Sequence, residues 1–538
     1  MVNFLMFLLK EICCTIIQQK PLSTTLPLEE ENMSHLNIVS ESIQVKNPSN
    51  PSDIEKRIDA CKEQFNLILS EILEGENQEA HKMEGAIFQN LMKLGLLLLQ
   101  LFFANHNQGN YGEILKTARG IARRGRPNEK SYFSIFGKIK VNRYLYHIGE
   151  ESFAPLDIFL NLPRRCYSYF LSEMVNFLDI KGAYVEGSKF LEKFFGLKLS
   201  VSALETISCE SSVHYDDYYD LKNSRPKEVK KEDFTVVGFD GKGVPMIKKE
   251  AAKIKGRQGK GEKRQKKKEA LVGVRYQVNA HIRSAEEVAA NLVYPEKKKE
   301  EDKSKPEGKG KNIRYIASLE RPKKQVMRVI KDEIIEEDFS KNPLVCVMDG
   351  AKYLWQSFGE IFKEVKNKVL ILDIIHALEY IWLIAHAKYK EGSEEAAEYV
   401  YEKLQLILEG KVASYIMELQ SEMLNENLSK SKENTFIKVI TYFKNHRQYM
   451  KYEEYLARGY PIGSGVVESA CGHVIKDRME ITGARWGISG AEAILKLRSI
   501  LKSNDWDSYW EFFTDQAKNN EFFPDNDNPL SSQKKLVA

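Results

Sequence analysis

Three acidic residues lie where a carboxylate could bind a metal ion at the edge of a folded core. Asp240 in GFDGKG and Asp349 in VCVMDGA each follow an apolar run and precede a glycine. Glu468 in IGSGVVES lies just inside a helix that follows a glycine-rich turn. Carboxylate oxygens are ligands that Mg²⁺ prefers, and Mg²⁺ keeps open positions for phosphate oxygens. The sequence therefore predicts two Mg²⁺ or Mn²⁺ ions here, about 3.5–4 Å apart, suited to in-line displacement at a phosphodiester.

Each of these acidic residues also has a simpler interpretation. A single Asp-Gly step most often marks a turn. A glutamate in the first turn of a helix is often present only because the helix dipole favours it. Two Asp-Gly steps on neighbouring strands favour the metal site, because strand ends are where open α/β sheets bind ligands. We expect Gly241 and Gly350 to allow a sharp turn and to leave the space beside each carboxylate open.

Asp373 and His376 form a second acidic motif, in the segment LDIIHALEY. They stand three residues apart after an apolar strand, so an accessory role is one interpretation, with His376 contacting a scissile phosphate. The alternative is structural, with His376 capping a helix and Asp373 binding backbone groups. This pair alone does not predict a zinc site, because no further His or Cys has ligand spacing.

Basic and aromatic residues follow Glu468 and also occur near the N-terminus. Cations are expected beside an acidic metal site if a DNA backbone must approach it. A tryptophan there could stack on an unpaired base, although a core position is the commoner fate of this residue. The candidate DNA-binding residues are Lys476, Arg478, Arg485 and Trp486, together with Arg123, Arg124 and Arg126 in a basic connector at 116–127.

The order of predicted elements after residue 231 indicates an α/β fold. Apolar β-rich runs predict strands at 234–246, 270–281, 314–320, 344–348 and 368–377, and helices are predicted at 321–338 and 352–366. Three strands that can pair antiparallel are thus followed by strands joined through helical crossovers, the order of a ribonuclease H-like fold. Lysine-rich loops at 248–268 and 296–313 interrupt the early strands.

The remaining sequence predicts mainly helical regions on either side of the first strands. Residues 183–217 indicate two short helices around a turn, with Ser202 and Glu205 at capping-box spacing. This pattern fits a helix-turn-helix that binds DNA or a plain helical hairpin. The predicted regions are a disordered leader (1–52), an N-terminal helical region with the basic connector (53–130), a DNA-binding region with a strand pair and the helix-turn-helix-like element (131–230), the first part of the ribonuclease H-like core (231–377), an all-helical insertion (378–459), the C-terminal core helices (460–515) and a tail (516–538).

Composition is that of a globular protein, with 43% hydrophobic and 29% charged residues and a net charge of +4. The seven cysteines are scattered and form no CxxC pair, so we expect no zinc ribbon or disulfide framework and a cytoplasmic location. The opening 20 residues lack the basic start of a secretory signal. The apolar stretch 91–104 is shorter than a membrane span, so we expect a buried helix and no membrane partner.

Several of these motifs together resemble one family. The segments VVGFDGKGVPM, VCVMDGAKYLW, LDIIHALEYIW and, most specifically, YPIGSGVVESACGHVIKDRMEITGARW are similar to the Kra group of bacterial insertion-sequence transposases, which are related to the Mutator-like DDE enzymes. FGKIKVNRYLY and APLDIFLNLP are also similar to its N-terminal part, so the resemblance covers roughly 130–515. It implies that Asp240, Asp349 and Glu468 form the DDE triad, with Asp373 and His376 as its D-x-x-H accessory motif.

The resemblance also implies an activity and its partners. Hydrolysis at the ends of the element would release 3′-hydroxyls, which would then attack target phosphodiesters. The partners would be double-stranded DNA of the terminal repeats and of the target, and a second or further copies of the chain. Two alternatives remain: a transposase-derived protein that binds DNA without cutting it, and a ribonuclease H-like nuclease without strand transfer. The presence of all three carboxylates favours the active enzyme over the first, and only a joining assay separates the second.

Overall fold

The computed structural model describes residues 51–117, 120–224, 233–254, 267–295, 310–425, 428–481 and 483–522. The chain is a mixed α/β protein with two compact units. The first comprises the described residues up to Tyr132 together with Ile139–Leu162, and the second comprises Phe133–Lys138 and the described residues from Pro163. Most of the predicted leader (1–52), much of the two lysine-rich loops and the tail from 523 lie outside the described residues.

The N-terminal part combines helices with a four-stranded sheet of order β1-β2-β3-β4. Its elements are α1 (Pro51–Glu74), α2 (Ala80–Ala104), β1 (Ile114–Thr117), β2 (Gly120–Ser134), β3 (Gly137–Ile148), β4 (Glu151–Phe153) and α3 (Pro155–Phe159). The strand pair predicted in the region 131–230 corresponds to β2 and β3, although β2 begins earlier, at Gly120. The described residues of the basic connector predicted at 116–127 are strand residues, at the end of β1 and the start of β2. Leu115 and Ala122, buried partners in that pairing, explain the strand conformation.

Helix α2 differs from the buried helix that its leucine-rich sequence predicts. It is 25 residues long, and only Asn90 and Phe103 are buried. Among the described residues it is the one helix long and apolar enough to cross a membrane by length and composition, and 11% of its most apolar window is buried. Phe88, Leu91 and Leu98 are exposed.

The second unit begins with four helices: α4 (Tyr169–Asp179), α5 (Tyr184–Phe195), α6 (Val201–Ser211) and α7 (Tyr215–Asn223). The two helices predicted in 183–217 are therefore confirmed. Gly196 ends α5 in the left-handed conformation, with φ at +67°. Ser200 is the N-cap of α6, because its Oγ accepts a hydrogen bond from the Ala203 amide at 3.1 Å. The predicted cap at Ser202 is wrong by two residues.

A five-stranded sheet forms the centre of the second unit, with order β7-β6-β5-β8-β9. The strands are β5 (Asp233–Pro245), β6 (Lys267–Asn279), β7 (Lys311–Ser318), β8 (Leu344–Met348) and β9 (Lys368–Leu372). β5, β6 and β7 pair antiparallel, whereas β8 pairs parallel with both β5 and β9. The predicted strand order and pairing are thus confirmed. Strand β8 is buried throughout, which its uninterrupted apolar sequence requires.

Helices accompany the sheet and follow it. They are α8 (Lys248–Ala251), α9 (Ala285–Val293), α10 (Lys323–Ile334), α11 (Lys352–Ile361), α12 (Ile374–Lys388), α13 (Glu394–Leu408), α14 (Val412–Asn425), α15 (Lys430–His446), α16 (Tyr452–Ala457), α17 (Gly465–Ala470), α18 (Asp477–Met479), α19 (Ile488–Lys502) and α20 (Trp506–Phe522). A 3₁₀ turn, Arg447–Tyr449, precedes α16, and a π-helical segment, Cys471–Lys476, joins α17 to α18. The long helical stretch predicted after His376 is confirmed as α12–α16.

The alternative cap positions of α6 allow a direct test. Replacing Ser200 by alanine removes a hydrogen bond to the first turn and costs about 1 kcal/mol of helix stability. We expect amide hydrogen exchange in residues 201–211 to become about fivefold faster in Ser200→Ala and to be unchanged in the control Ser202→Ala. Mass spectrometry of that segment measures both, and equal exchange in the two variants would contradict the cap assignment.

Candidate metal centre

Asp240 lies within β5, at the point where that strand leaves the core. Residues 234–239 are buried, and the Asp240 side chain is half-buried. The strand continues in register with β6 through Asp240 and Gly241, so the prediction of a sharp turn at this point is wrong. Asp240 Oδ1 lies 2.6 Å from the Gly241 amide, and the Cys471 thiol donates to Oδ2 at 2.9 Å. A Cβ at Gly241 would lie 2.0 Å from Glu269 Oε1 and 2.8 Å from the Tyr353 hydroxyl, so a larger residue there would have to displace these two side chains.

Asp349 comes directly after β8, as the sequence predicts. Its Oδ1 accepts a hydrogen bond from the Ala351 amide at 3.0 Å. Burial raises the pKa of Asp349 and Asp240 raises it further, whereas the Ala351 hydrogen bond and His376 lower it, so the net shift is upward. Asp349 is therefore a carboxylate that is held in place although its ionised form is disfavoured in the metal-free protein.

Asp373 ends β9 and is the N-cap of α12. Its carboxylate is fully buried and accepts a hydrogen bond from the Ile375 amide at 2.9 Å. The structural interpretation of this residue, binding to backbone, is thus confirmed. Its other oxygen accepts a hydrogen bond from Ser464 Oγ. Because Ser464 O also accepts from the Glu468 amide at 2.8 Å, Asp373 is tied to the segment that carries Glu468.

Glu468 lies in the first turn of α17 and is exposed. One ligand atom from each of Asp373, His376 and Glu468 lies within 4.8 Å of the other two, so these three residues could hold a metal ion. The sequence pattern had grouped Glu468 with the two aspartates of β5 and β8 and left Asp373 and His376 in an accessory role. It gave no indication of Ser464 or Cys471, whose partners lie 91 and 231 residues away along the chain.

The acidic side chains act on one another electrostatically. Although the Glu468 side chain is exposed, partial desolvation of its carboxyl group raises its pKa, and Asp373, Glu379 and Asp240 raise it further, which His376 partly offsets. Burial likewise raises the pKa of Asp373, against the hydrogen bonds from Ser464 and Ile375. Burial lowers the pKa of His376, but neighbouring carboxylates, Asp373 first, raise it on balance.

No Lys or Arg in the described part of the chain forms an ion pair with Asp240, Asp349, Asp373 or Glu468. The cluster therefore carries negative charge, which His376 partly offsets. Oxygen ligands with uncompensated charge at the edge of a sheet fit a divalent cation, since such an ion neutralises the repulsion among them. The donor set is thus chemically suited to metal binding.

Two of the predicted DNA-binding residues lie inside the protein. Arg478 is 2% exposed, and its Nε donates to Asp179 O at 2.5 Å. Its guanidinium lies 4.6 Å from the centre of the Trp486 ring, and Trp486 Nε1 donates to Met479 O at 3.1 Å. The DNA-binding prediction for Arg478 and Trp486 is therefore contradicted, because both side chains are buried and paired within the fold. For Trp486 the alternative interpretation, a core aromatic, is confirmed.

The other basic candidates remain accessible. Lys476 and Arg485 are exposed on the segment that follows Glu468. In the first unit, Arg123 and Arg126 are exposed on β2, while Arg124 is half-buried and donates to Asn110 Oδ1 at 2.6 Å. Contact of these residues with DNA stays a prediction, as does a DNA-binding role for the α5–α6 hairpin.

A search of known protein families finds no family model that matches this chain, and a search of curated proteins finds no significant match. The residues of the carboxylate cluster and their position in the fold therefore carry the functional assignment.

Metal affinity of this cluster is expected to depend on pH. Asp349, Asp373, Glu468 and His376 all have a raised pKa, so they retain protons to higher pH, and metal binding must displace those protons. We expect Mn²⁺ affinity to rise between about pH 5 and pH 8, with proton release on binding. Calorimetry in two buffers of different ionisation enthalpy measures both quantities. An affinity that is flat with pH, without proton release, would exclude these groups as the ligands.

Removing one carboxylate charge is expected to stabilise the metal-free protein. The pKa of Asp349 is raised on folding, so its contribution to stability is present at low pH and is lost as pH rises through the folded pKa. At pH 8 we expect Asp349→Asn to raise Tm by about 1–3 °C, and near pH 4 we expect no gain.

The control for this change is Asp338→Asn. The pKa of Asp338 is lowered by hydrogen bonds from Ser340, so its charged form is favoured in the folded state. We expect this variant not to raise Tm at pH 8. Scanning calorimetry with a chelator present compares the three proteins, and an equal or lower Tm for Asp349→Asn than for wild type would refute the repulsion argument.

Proposed function

We propose that this chain is a DNA transposase that hydrolyses phosphodiesters at the ends of an insertion sequence and joins the released 3′-hydroxyls to target DNA. One observation carries the proposal: acidic residues from β5, from the end of β8 and from the first turn of α17 interact electrostatically as one cluster. These are Asp240, Asp349 and Glu468. Two strands and one helix supply them, as a DDE triad requires.

The topology of the second unit supports a ribonuclease H-like core. Three antiparallel strands are followed by two parallel strands, with β5 in the middle of the sheet and next to β8. Helices α12–α16 separate β9 from the helix that carries Glu468. We therefore assign the helices between β9 and α17 as the all-helical insertion of such a core. The similarity of the motifs around these residues to Kra-group transposases agrees with this assignment.

The triad would hold two Mg²⁺ or Mn²⁺ ions. Bound there, they would supply Lewis-acid activation of the attacking oxygen and stabilisation of the leaving one. The chain's own residues hold the carboxylates in place. Asp373 fixes the turn before α17 through Ser464, and the Cys471 thiol orients Asp240. His376, beside Glu468, is the residue we assign to the scissile phosphate.

We assign DNA binding to exposed basic residues in each of the two units. Lys476 and Arg485 lie on the segment after Glu468 in the second unit, and Arg123 and Arg126 are exposed on β2 in the first. Cationic side chains of this kind bind the phosphate backbone without reading sequence. The partners are the terminal repeats and the target, bridged by a dimer or larger assembly of this chain in the bacterial cytoplasm, near the nucleoid.

The proposal is tested with a labelled duplex of the element's own end, incubated with and without Mg²⁺ or Mn²⁺. We expect metal-dependent nicking by the wild type and a loss of at least ~10³-fold in Asp349→Asn, because several kcal/mol of charge stabilisation depend on that carboxylate. The control Asp338→Asn alters an exposed aspartate on the loop before β8 and should cleave as the wild type does.

Each other outcome points to a different function. Binding of the duplex without cleavage by folded wild type would favour a DNA-binding protein derived from a transposase. Nicking without joining to a target plasmid would favour a ribonuclease H-like nuclease. Equal cleavage by Asp349→Asn and wild type would show that Asp349 is not part of the active site.

A further inference from the structure

Two successive backbone carbonyls after β8 are each held by a side chain. Trp355 Nε1 donates to Asp349 O at 2.8 Å, and His446 Nε2 lies 3.0 Å from Gly350 O. Trp355 belongs to α11, but His446 is the last residue of α15, in the helical stretch between β9 and α17. A distant helix therefore contacts the backbone of the residue that follows Asp349.

Both ring nitrogens of His446 face carbonyl oxygens. Nδ1 lies 2.8 Å from Tyr442 O, and Nε2 lies 3.0 Å from Gly350 O. A carbonyl oxygen only accepts, so in the tautomer that carries its proton on Nε2 the ring donates to Gly350 O.

Aromatic rings from the same region pack against the loop. A Cβ at Gly350 would lie 2.5 Å from Cε2 of Tyr442, so only glycine allows this approach. Gly350 has no positive φ, and close packing replaces the expected sharp turn as the reason for glycine here. Tyr449 stacks on Trp355 with ring centres 4.1 Å apart and planes 6° apart, which holds the indole that bonds Asp349 O.

We propose that the end of the helical insertion positions Asp349, with His446 as the principal positioning residue and Tyr442 and Tyr449 supporting it. The inference rests on the proposed function, because positioning of Asp349 affects catalysis only if Asp349 holds the catalytic metal ions. Fixing both carbonyls leaves the backbone of Asp349 little freedom, so the carboxylate is held towards the other acidic residues before any ion binds. The insertion is thereby a structural part of the metal centre.

The amide of Ala351 reports directly on this arrangement, because it donates to Asp349 Oδ1 at 3.0 Å. We expect His446→Ala to speed hydrogen exchange at Ala351 about five- to tenfold, the effect of losing one hydrogen bond that holds the loop. His386→Ala is the matched control, since His386 lies on α12, is exposed and contacts Trp382. We expect it to leave exchange at Ala351 unchanged.

Metal affinity supplies a readout that a general loss of stability would not give. Without DNA, we expect Mn²⁺ affinity to fall about tenfold in His446→Ala. Loss of a residue that orients a metal ligand through hydrogen bonds has an effect of this size. His446→Gln should stay within about threefold of wild type, because its amide can still donate to Gly350 O. Gly350→Ala should weaken binding in the same direction by displacing Tyr442, with His446 intact.

The outcomes separate this inference from the proposed function. If the wild type binds Mn²⁺ but does not cleave DNA of the element's end, the transposase proposal is contradicted and the positioning role of His446 is not. Equal Ala351 exchange and equal Mn²⁺ affinity in His446→Ala and His386→Ala would overturn the positioning role, even if the wild type cleaves DNA. Failure of His446→Gln to restore affinity, with a normal circular dichroism spectrum, would also overturn it.

Discussion

Repulsion among carboxylates gathered at one edge of a sheet is the constraint on which the rest of this structure depends. Burial raises the pKa of Asp349, Asp373 and Glu468, and neighbouring carboxylates raise the pKa of Asp349 and Glu468 further. A chain gains nothing in stability from such an arrangement, since charged groups are costly to desolvate without a partner. The surrounding fold must therefore hold the residues together against their own electrostatics, and a bound cation would make the arrangement favourable.

Several distant parts of the chain supply that support. The central strand pair β5–β8 fixes the spacing of the two aspartates, because parallel neighbours cannot shift register without moving buried residues to the wrong face. Ser464 ties Asp373 to the turn before α17, and the Cys471 thiol holds Asp240. The end of α15 holds the backbone after Asp349. Pre-organisation of this kind is what metal sites need, since ligands that are held in place lose little freedom on binding.

The strands were predictable from sequence because their burial leaves a direct signature. LVCVM is apolar at every position, and a strand that is covered on both faces requires that pattern. The position of Asp349 at a strand end followed from the same signature. The strand predicted at 368–377 ends already at Leu372, because Asp373 caps α12 and the apolar residues after it belong to that helix. The strand predicted at 234–246 is confirmed as β5, but the turn expected at Asp240 and Gly241 does not form.

The predictions from sequence that were wrong concern interactions between residues far apart in the chain. Arg478 and Trp486 have the composition of a DNA-binding segment, yet Arg478 bonds Asp179, 299 residues away, and both side chains are buried. Gly350 was expected to be a turn glycine. Its close neighbour is instead the ring of Tyr442, which lies 92 positions later in the sequence and which local sequence does not place there. Periodicity describes the neighbours of a residue within its own helix or strand, and it carries no information on such partners.

Locating the ions tests the proposed metal centre most directly. Crystals grown with Mn²⁺ and measured at the manganese absorption edge would show each ion as an anomalous peak. We expect two peaks about 3.5–4 Å apart, at ions bound by Asp240, Asp349 and Glu468. A single peak bound by Asp373, His376 and Glu468, with no ion beside Asp240 or Asp349, would contradict this expectation.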